Sequence, residues 1–341
     1  MKLKALVTAE VNRDCLEKDL SQHIEFVYDG YHINHEVMPH QELCEKIGVY
    51  DILICEYDTV SSDVLDAATN LKLIICCRGG IKDVVDITKA KTQGIVVCNN
   101  AGRNAGAVSD IVIGYILDMT RNISLTSNLI HSKELTADVR TKPDEYKDTV
   151  WGLDNNSPFI RFRGKSINHM KLGVFGFGCV GRLLAQKAHA FNMEILAYDP
   201  YLDSSKLPDY VTAVGFDELF RESDIISVHC PATDQTRNMF NMDLFNKMKD
   251  GSYFINTSRG EVVVEEDLVE ALNRNKLAGA AIDVTRVEPI SSNSILLTAP
   301  NLIITPHIAG SSYDVQCCGT QMVIDSLVNF INGEKPANCV G

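Results

Sequence analysis

Near the middle of the chain, the apolar run Leu172–Phe175 leads directly into Gly176-Phe177-Gly178-Cys179-Val180-Gly181. Glycine spacing of this kind is weak evidence on its own, because glycine-rich turns are common. The flanks give it meaning. Lys171–Phe175 reads as a strand, and Val180–Phe191 places Val180, Leu183, Leu184, Ala188 and Phe191 on one helical face. A strand, a glycine loop and a helix start in that order aim free helix N–H groups at a pyrophosphate. The first glycine permits the tight turn, the second lets a ligand approach the backbone, and the third lets the helix lie against its strand. Asp199 closes the next strand pattern, Glu194–Tyr198, where its carboxylate is placed to accept hydrogen bonds from two ribose hydroxyls. That carboxylate would repel a 2′-phosphate, and Asp199-Pro200-Tyr201-Leu202-Asp203 holds no Arg or Lys to receive one. The expected cofactor is NAD.

A cofactor loop so far into the chain implies another unit ahead of it. Strand patterns at Lys2–Thr8, Ile24–Tyr28, Asp51–Cys55, Leu71–Cys77 and Ile95–Cys98 alternate with helical stretches at Cys15–His23, Gln41–Ile47, Ser62–Ala68 and Ile87–Thr92. Such alternation predicts a parallel sheet with helices on both faces. A longer helix is expected over Asn104–Asn122. Between Ser132 and Asn168 periodicity lapses into a charged segment bearing Trp151, Phe159 and Phe162, which reads as a subunit-contact arm. From Leu172 onward six strands are expected: 172–175, 194–198, 224–229, 252–256, 278–283 and 302–305. Helices are expected at Val180–Phe191, Asp217–Arg221, Met242–Met248 and Glu265–Asn273. The terminal helix pattern, Tyr313–Asn332, has no strand to pair with there and is expected to return to the first unit.

Composition excludes several partners. The 341 residues suit two domains, and a net charge of −13 argues against nucleic acid or an anionic membrane, since both attract basic surfaces. No apolar run approaches the ~20 residues of a membrane span, and Met1–Glu10 lacks a secretory cleavage pattern. A cytoplasmic location is expected. The 11 cysteines are odd in number, contain no C-x-x-C spacing, and fall partly inside apolar strands, so free thiols are expected. Cys179, at the helix start, reads as a small side chain beside the cofactor. His32, His35 and His40 lack the Cys or carboxylate partners of a metal site, and no metal is expected.

Three polar residues fall where strands of the second unit end: Arg259 in Asn256-Thr257-Ser258-Arg259-Gly260, Glu288 in Val287-Glu288-Pro289, and His307 in Pro306-His307-Ile308-Ala309-Gly310. Open α/β sheets bind ligands at the carboxyl ends of their strands. A guanidinium forms two parallel hydrogen bonds to a carboxylate and helps polarise an adjacent carbonyl, which suits Arg259. An imidazole exchanges a proton near neutral pH, as reduction of a carbonyl and its reversal require, which suits His307. A carboxylate beside it, Glu288, favours the imidazolium and fixes the ring. Singly each residue has an ordinary structural explanation. Their order behind a cofactor loop points to catalysis.

These residues, with His229-Cys230-Pro231-Ala232-Thr233 and Thr236, and with Ala280-Ala281-Ile282-Asp283-Val284, make the sequence resemble the D-isomer-specific 2-hydroxyacid dehydrogenases over most of its length. The resemblance implies an α/β architecture: a Rossmann NAD-binding domain (102–307) inserted into a flavodoxin-like α/β substrate domain (1–101 and 308–341). It also implies a homodimer formed through 104–168. In such an enzyme Arg259 binds substrate, Glu288 pairs with the acid/base His307, and Asp283 contacts the nicotinamide carboxamide. Gly176, Gly178, Cys179, Val180, Gly181, Asp199, Cys230, Thr236, Thr257, Ser258, Arg259 and His307 would line the cofactor. Family members hold the substrate carboxylate with amides of a first-domain loop. Arg78-Gly79-Gly80 occupies that place here, with fewer glycines following than is common.

The expected reaction interconverts a 2-oxo acid and a D-2-hydroxy acid. A small unphosphorylated acid is favoured over 3-phosphoglycerate because Cys55-Glu56-Tyr57-Asp58-Thr59 is acidic where phosphoglycerate dehydrogenases often present an arginine, and because no regulatory domain is expected beyond residue 341. Two other readings remain at this point. One is an NAD(H)-sensing co-repressor-like binding protein. The other is formate dehydrogenase, which lacks the glutamate found at Glu288.

Overall fold

Apolar runs of four or five residues, bounded by turn-forming or charged residues, resolve into two parallel sheets. The computed structural model describes residues 2–136 and 157–340. Trp151 and most of the expected contact arm lie outside them. The chain divides into two compact units, Met1–Ala107 with Gly310–Gly341, and Val108–Ala309.

In the first unit, β1 (Leu3–Val7), β2 (Ile24–Tyr28), β3 (Ile52–Cys55), β4 (Leu73–Cys76) and β5 (Val96–Asn99) are ordered β2-β1-β3-β4-β5. This is the flavodoxin-like order. Every residue of β3 and β4 is buried, because helices cover both faces of the sheet and no polar alternation is needed. Leu43, Ile47, Val64 and Leu65 pack on one face, and Leu16, Leu20, Val323 and Leu327 on the other. The last two belong to the helix Tyr313–Ile331, which returns to this unit as its pattern predicts. Each such side chain contributes about 1.5–3 kcal/mol relative to exposure.

The second unit contains β6 (Lys171–Phe175), β7 (Glu194–Tyr198), β8 (Val211–Ala213), β9 (Ile225–Val228), β10 (Ser252–Asn256), β11 (Leu277–Ile282) and β12 (Leu302–Ile304). The order is β12-β11-β10-β9-β6-β7-β8, all parallel. Its first six strands follow the dinucleotide-binding order, with the reversal between β6 and β9. Seven strands therefore form where six are expected. The addition, β8, is a three-residue edge strand with two exposed residues, too short and too polar to show an apolar run. A second departure follows the helix Ala105–Arg121. Asn122 takes a left-handed φ of 56°, and a separate helix, Ile123–His131, begins after it with no buried residue.

Candidate active site

The loop after β6 is built by glycines with three different steric tasks. Gly176 has a φ of +92°, and a Cβ there would lie 2.9 Å from the His229 carbonyl. At Gly181 a Cβ would come within 2.4 Å of the Gly176 carbonyl oxygen, so the third glycine lets the helix Cys179–Ala190 press against its own loop. A Cβ on Gly178 would meet nothing within 4 Å. The middle glycine therefore borders open space, and it is also the N-cap of that helix, with no side chain satisfying the first N–H groups. Cys179 is exposed and Val180 half-buried beside it. The Asp199 carboxylate accepts from the Phe177 amide at 2.9 Å and from the Tyr201 amide at 2.9 Å. It thus clamps the loop, while each oxygen retains capacity for a further donor.

Across the switch point, His229 and Cys230 follow β9. Loss of water around the His229 imidazole pushes it down to about 4, and burial pushes the Cys230 thiol up to about 11. His229 is therefore a neutral structural histidine whose Nε2 lies 2.9 Å from Ser227 Oγ. Thr236 uses its hydroxyl locally, donating to the Pro231 carbonyl at 2.6 Å and accepting from the Thr233 amide at 2.8 Å.

After β10, Asn256 organises the arginine turn. Its Oδ1 accepts from the amide and hydroxyl of Ser258, and its Nδ2 donates to the Arg259 carbonyl at 2.8 Å. A Cβ on Gly260 would lie 2.1 Å from the Thr285 backbone, so glycine alone allows this turn to approach the loop after β11. Arg259 itself is exposed, with Nη1 donating to the Ser258 carbonyl at 2.7 Å. The Thr257 hydroxyl is buried with no hydrogen-bond partner among the described residues.

The loops after β11 and β12 bring Glu288 and His307 together. Glu288 Oε2 is 2.7 Å from His307 Nδ1, and its Oε1 accepts from the Thr285 amide at 3.1 Å. That pairing consumes one ring nitrogen and leaves Nε2 with no protein partner among the described residues. His307 holds a φ of +56°, which a non-glycine residue adopts only when its surroundings impose it. Asp283 does the imposing. Its backbone carbonyl takes the His307 amide at 2.8 Å, while its buried carboxylate accepts from Ile308 N at 2.9 Å, Ala309 N at 2.8 Å and Thr305 Oγ1 at 2.5 Å. Tyr115, on the helix Ala105–Arg121, completes the network by hydrogen bonding its hydroxyl to Thr305 Oγ1.

The sequence assigns a role to Asp283 but none to Thr305, Tyr115 or Asn256. Tyr115 had a legible signal: a phenol on an aliphatic face formed by Val112, Ile113 and Ile116, all buried, needs a polar partner for its hydroxyl. Among the described residues no group of His, Cys, Asp or Glu is arranged to hold a metal.

In the first unit, Arg78, Gly79 and Gly80 follow β4. Gly79 and Gly80 are exposed, the Gly79 carbonyl accepts from Asn99 Nδ2 at 2.7 Å, and the Arg78 guanidinium lies 5.6 Å from the Tyr57 ring centre. The acidic stretch beside them is built into the unit. Glu56 is buried and ion-paired with Arg103, and buried Asp58 accepts from the Thr8 hydroxyl and the Met38 amide. Glu56 thus has a cationic partner, whereas Asp58 is held by neutral donors, a hydroxyl and an amide.

The loop geometry fits an NAD-type cofactor. An uncapped helix start stands behind an open glycine, a carboxylate closes the neighbouring strand, and an orphaned threonine hydroxyl lies along the same carboxyl edge. Comparisons with known proteins agree. Residues 113–309 match the family described as "D-isomer specific 2-hydroxyacid dehydrogenase, NAD binding domain". A hydroxypyruvate reductase of Thermotoga maritima is 34% identical over 307 residues, spanning 89% of this chain and 92% of the relative. A D-3-phosphoglycerate dehydrogenase of Archaeoglobus fulgidus is 32% identical over 305 residues, spanning 89% of this chain but 54% of the relative. The crystal structure of Rhodotorula graminis D-mandelate dehydrogenase superposes with a TM-score of 0.81 at 23% identity, covering 100% of this chain and 98% of that one, and shows the shared fold. The chain belongs to the D-isomer-specific 2-hydroxyacid dehydrogenases. It is an NAD-dependent oxidoreductase, with a Rossmann domain as its cofactor-binding part.

Proposed function

We propose that the enzyme reduces a small, unphosphorylated 2-oxo acid to the D-2-hydroxy acid, with His307 as acid/base, Glu288 as its partner and Arg259 as the carboxylate-binding side chain. The observation carrying this reading is the 2.7 Å contact between His307 Nδ1 and Glu288 Oε2, which orients the ring and leaves Nε2 as its free proton-transfer atom. NAD(H) supplies or takes the hydride when bound. The glycine-loop amides, Asp199 and Thr257 hold it, His307 gives the proton to the carbonyl oxygen, and Arg259 fixes the acid's carboxylate. Asp283 supports catalysis by holding the His307 turn. The exposed backbone of Gly79 and Gly80 suits an anion nest for a carboxylate.

The preference for an unphosphorylated substrate rests on the acidic loop, where Glu56 is paired with Arg103 but buried Asp58 is held by neutral donors alone. Arg78, seated over Tyr57, matches a side chain that phosphoglycerate dehydrogenases use and is the point in favour of the phosphorylated alternative. The Thermotoga relative is named for hydroxypyruvate, an unphosphorylated 2-oxo acid. A homodimer and a cytoplasmic setting belong to the same reading. The helix Ile123–His131 leaves Ile123, Leu125 and Ile130 exposed, a surface suited to burial against a second copy. The test is loss of NADH absorbance with glyoxylate, hydroxypyruvate, pyruvate, longer 2-oxo acids and 3-phosphohydroxypyruvate. A kcat/KM at least tenfold higher for the phosphorylated acid than for any other would overturn the substrate assignment.

A further inference from the structure

Two thiols far apart in sequence meet at the end of the first unit. Cys98, in β5, and Cys339, in the C-terminal tail, form an isolated antiparallel bridge, with their sulfurs 3.5 Å apart. The flanking hydrogen bonds define the type of pair. Val340 N donates to the Val97 carbonyl at 2.8 Å, and Asn99 N donates to the Asn338 carbonyl at 3.1 Å. Residues 98 and 339 exchange no backbone bonds themselves, so they occupy a non-hydrogen-bonded position, where Cα atoms approach to about 4.5 Å. That spacing lies inside the range a disulfide spans.

We propose that Cys98 and Cys339 are a reversible oxidation site that locks the C-terminal tail onto β5 when the protein meets a hydroperoxide. The tail residue is half-exposed and lines a cavity of about 510 Å³ together with Phe330, Lys335, Pro336, Ile87 and Val97, which admits a small oxidant to its sulfur. Cys98 is buried, which shields it from direct attack by the oxidant, and its sulfur stands 3.5 Å from that of Cys339, within reach to resolve the intermediate once it gives up its proton. The Cys339 thiolate attacks one peroxide oxygen, the O–O bond breaks, and water or an alcohol leaves once protonated. Cys98 then displaces the sulfenic hydroxyl, which departs as water while the S–S bond forms. Two thiols and one hydroperoxide thus yield a disulfide with two waters, or one water and one alcohol.

The other adjacent cysteines lack this combination. Cys55 and Cys76 are paired across β3 and β4, yet both are fully buried with no route for an oxidant. Cys15, Cys179, Cys317 and Cys318 are exposed, and although Cys317 and Cys318 are neighbours in sequence, successive residues of the helix Tyr313–Ile331 point about 100° apart. Because Cys98 precedes the second unit in sequence and Cys339 follows it, the bond would close a loop around the whole of Val108–Ala309. Cross-links closing long loops restrict the unfolded chain most.

The test uses the full chain, reduced, treated with hydrogen peroxide, blocked by alkylation and digested without reductant. The expected product is a peptide pair joining Cys98 to Cys339 that separates on reduction, with Tm raised by roughly 5 °C or more. Cys339→Ser should abolish both the linked pair and the Tm rise while leaving the reduced protein's Tm nearly unchanged, and Cys98→Ala should leave Cys339 as a trappable sulfenic acid. Recovery of Cys98 and Cys339 fully alkylated after the exposed thiols have been oxidised would overturn the proposal. So would a linked pair involving any other cysteine in place of these two.

Discussion

The loop after β6 and the loops after β11 and β12 share one sheet edge but are built by opposite means. The first works by leaving side chains out: a Cβ at Gly176 or Gly181 would strike backbone, while one at Gly178 would project into open space. The second works by supplying side chains and tying each one down. Asp283 holds the turn, Thr305 and Tyr115 brace Asp283, and Glu288 holds the ring of His307. Binding a pyrophosphate calls for backbone amides at close range, whereas moving a proton calls for one titratable atom in a fixed place. Damage should therefore separate cleanly: binding and folding at the glycine loop, turnover at the histidine turn.

The largest expected separation comes from His307→Gln. It should lower kcat by about 10²–10⁴-fold, the usual worth of a general acid/base, while NADH affinity measured by fluorescence titration stays within about threefold. A comparable fall in NADH affinity would show that the two regions are not independent. At the other region, Gly181→Ala should lower the Tm and weaken NADH binding together, at a cost of about 2–4 kcal/mol from the overlap with the Gly176 carbonyl. Gly178→Ala should weaken NADH binding with the Tm nearly unchanged. If both glycine variants destabilised the fold equally, the distinct roles assigned to these positions would fail.

Glu288→Gln preserves size but removes the charge facing His307, and should lower kcat by roughly 10–100-fold with little effect on NADH binding. Smaller still is Tyr115→Phe. It deletes one hydroxyl two hydrogen bonds from Asp283, and should reduce kcat several-fold at unchanged NADH affinity, with a stability loss of about 1 kcal/mol. An unaltered kcat would remove Tyr115 from the network that places His307.

The last expectation concerns His229, which belongs to the structural side of the comparison and is read in stability alone. Its folded value, about 4, lies below the ordinary 6.5, so the unfolded chain binds the extra proton first. Its contribution is fully present above pH 6.5 and is lost as pH falls toward 4. His229→Asn should flatten that part of the Tm-against-pH curve relative to the unsubstituted protein. Identical slopes would show that the imidazole is hydrated in the folded state.

The legible parts of the molecule were those where chemistry restricts the residue type locally. Parallel strands buried on both faces must be continuously apolar, so Ile52–Cys55 and Leu73–Cys76 stood out, whereas Val211–Ala213, an exposed edge of three residues, did not. A phosphate loop needs glycine at set intervals, and a proton-transfer site needs histidine, so both were readable. The bracing residues were less so. Tyrosine, threonine and asparagine are common everywhere, and only the pairing of Tyr115 with Thr305, 190 residues apart, shows their task. The partners of the acidic stretch Glu56–Asp58 were hidden for the same reason. Its charge is visible in sequence, but the Arg103 beside Glu56 and the hydroxyl and amide donors to Asp58 are not.

The sequence by itself determined the α/β alternation, the cofactor loop with its aspartate, and the candidate triad Arg259, Glu288 and His307. Each depends on residue type and short-range spacing. Only the tertiary structure decided that Asp283 is a buried clamp on the His307 turn, that Tyr115 reaches Thr305, and that Cys98 faces Cys339. These contacts join residues far apart along the chain, where no local period records who the neighbour will be, and they exist only once burial has fixed the packing of one element on another.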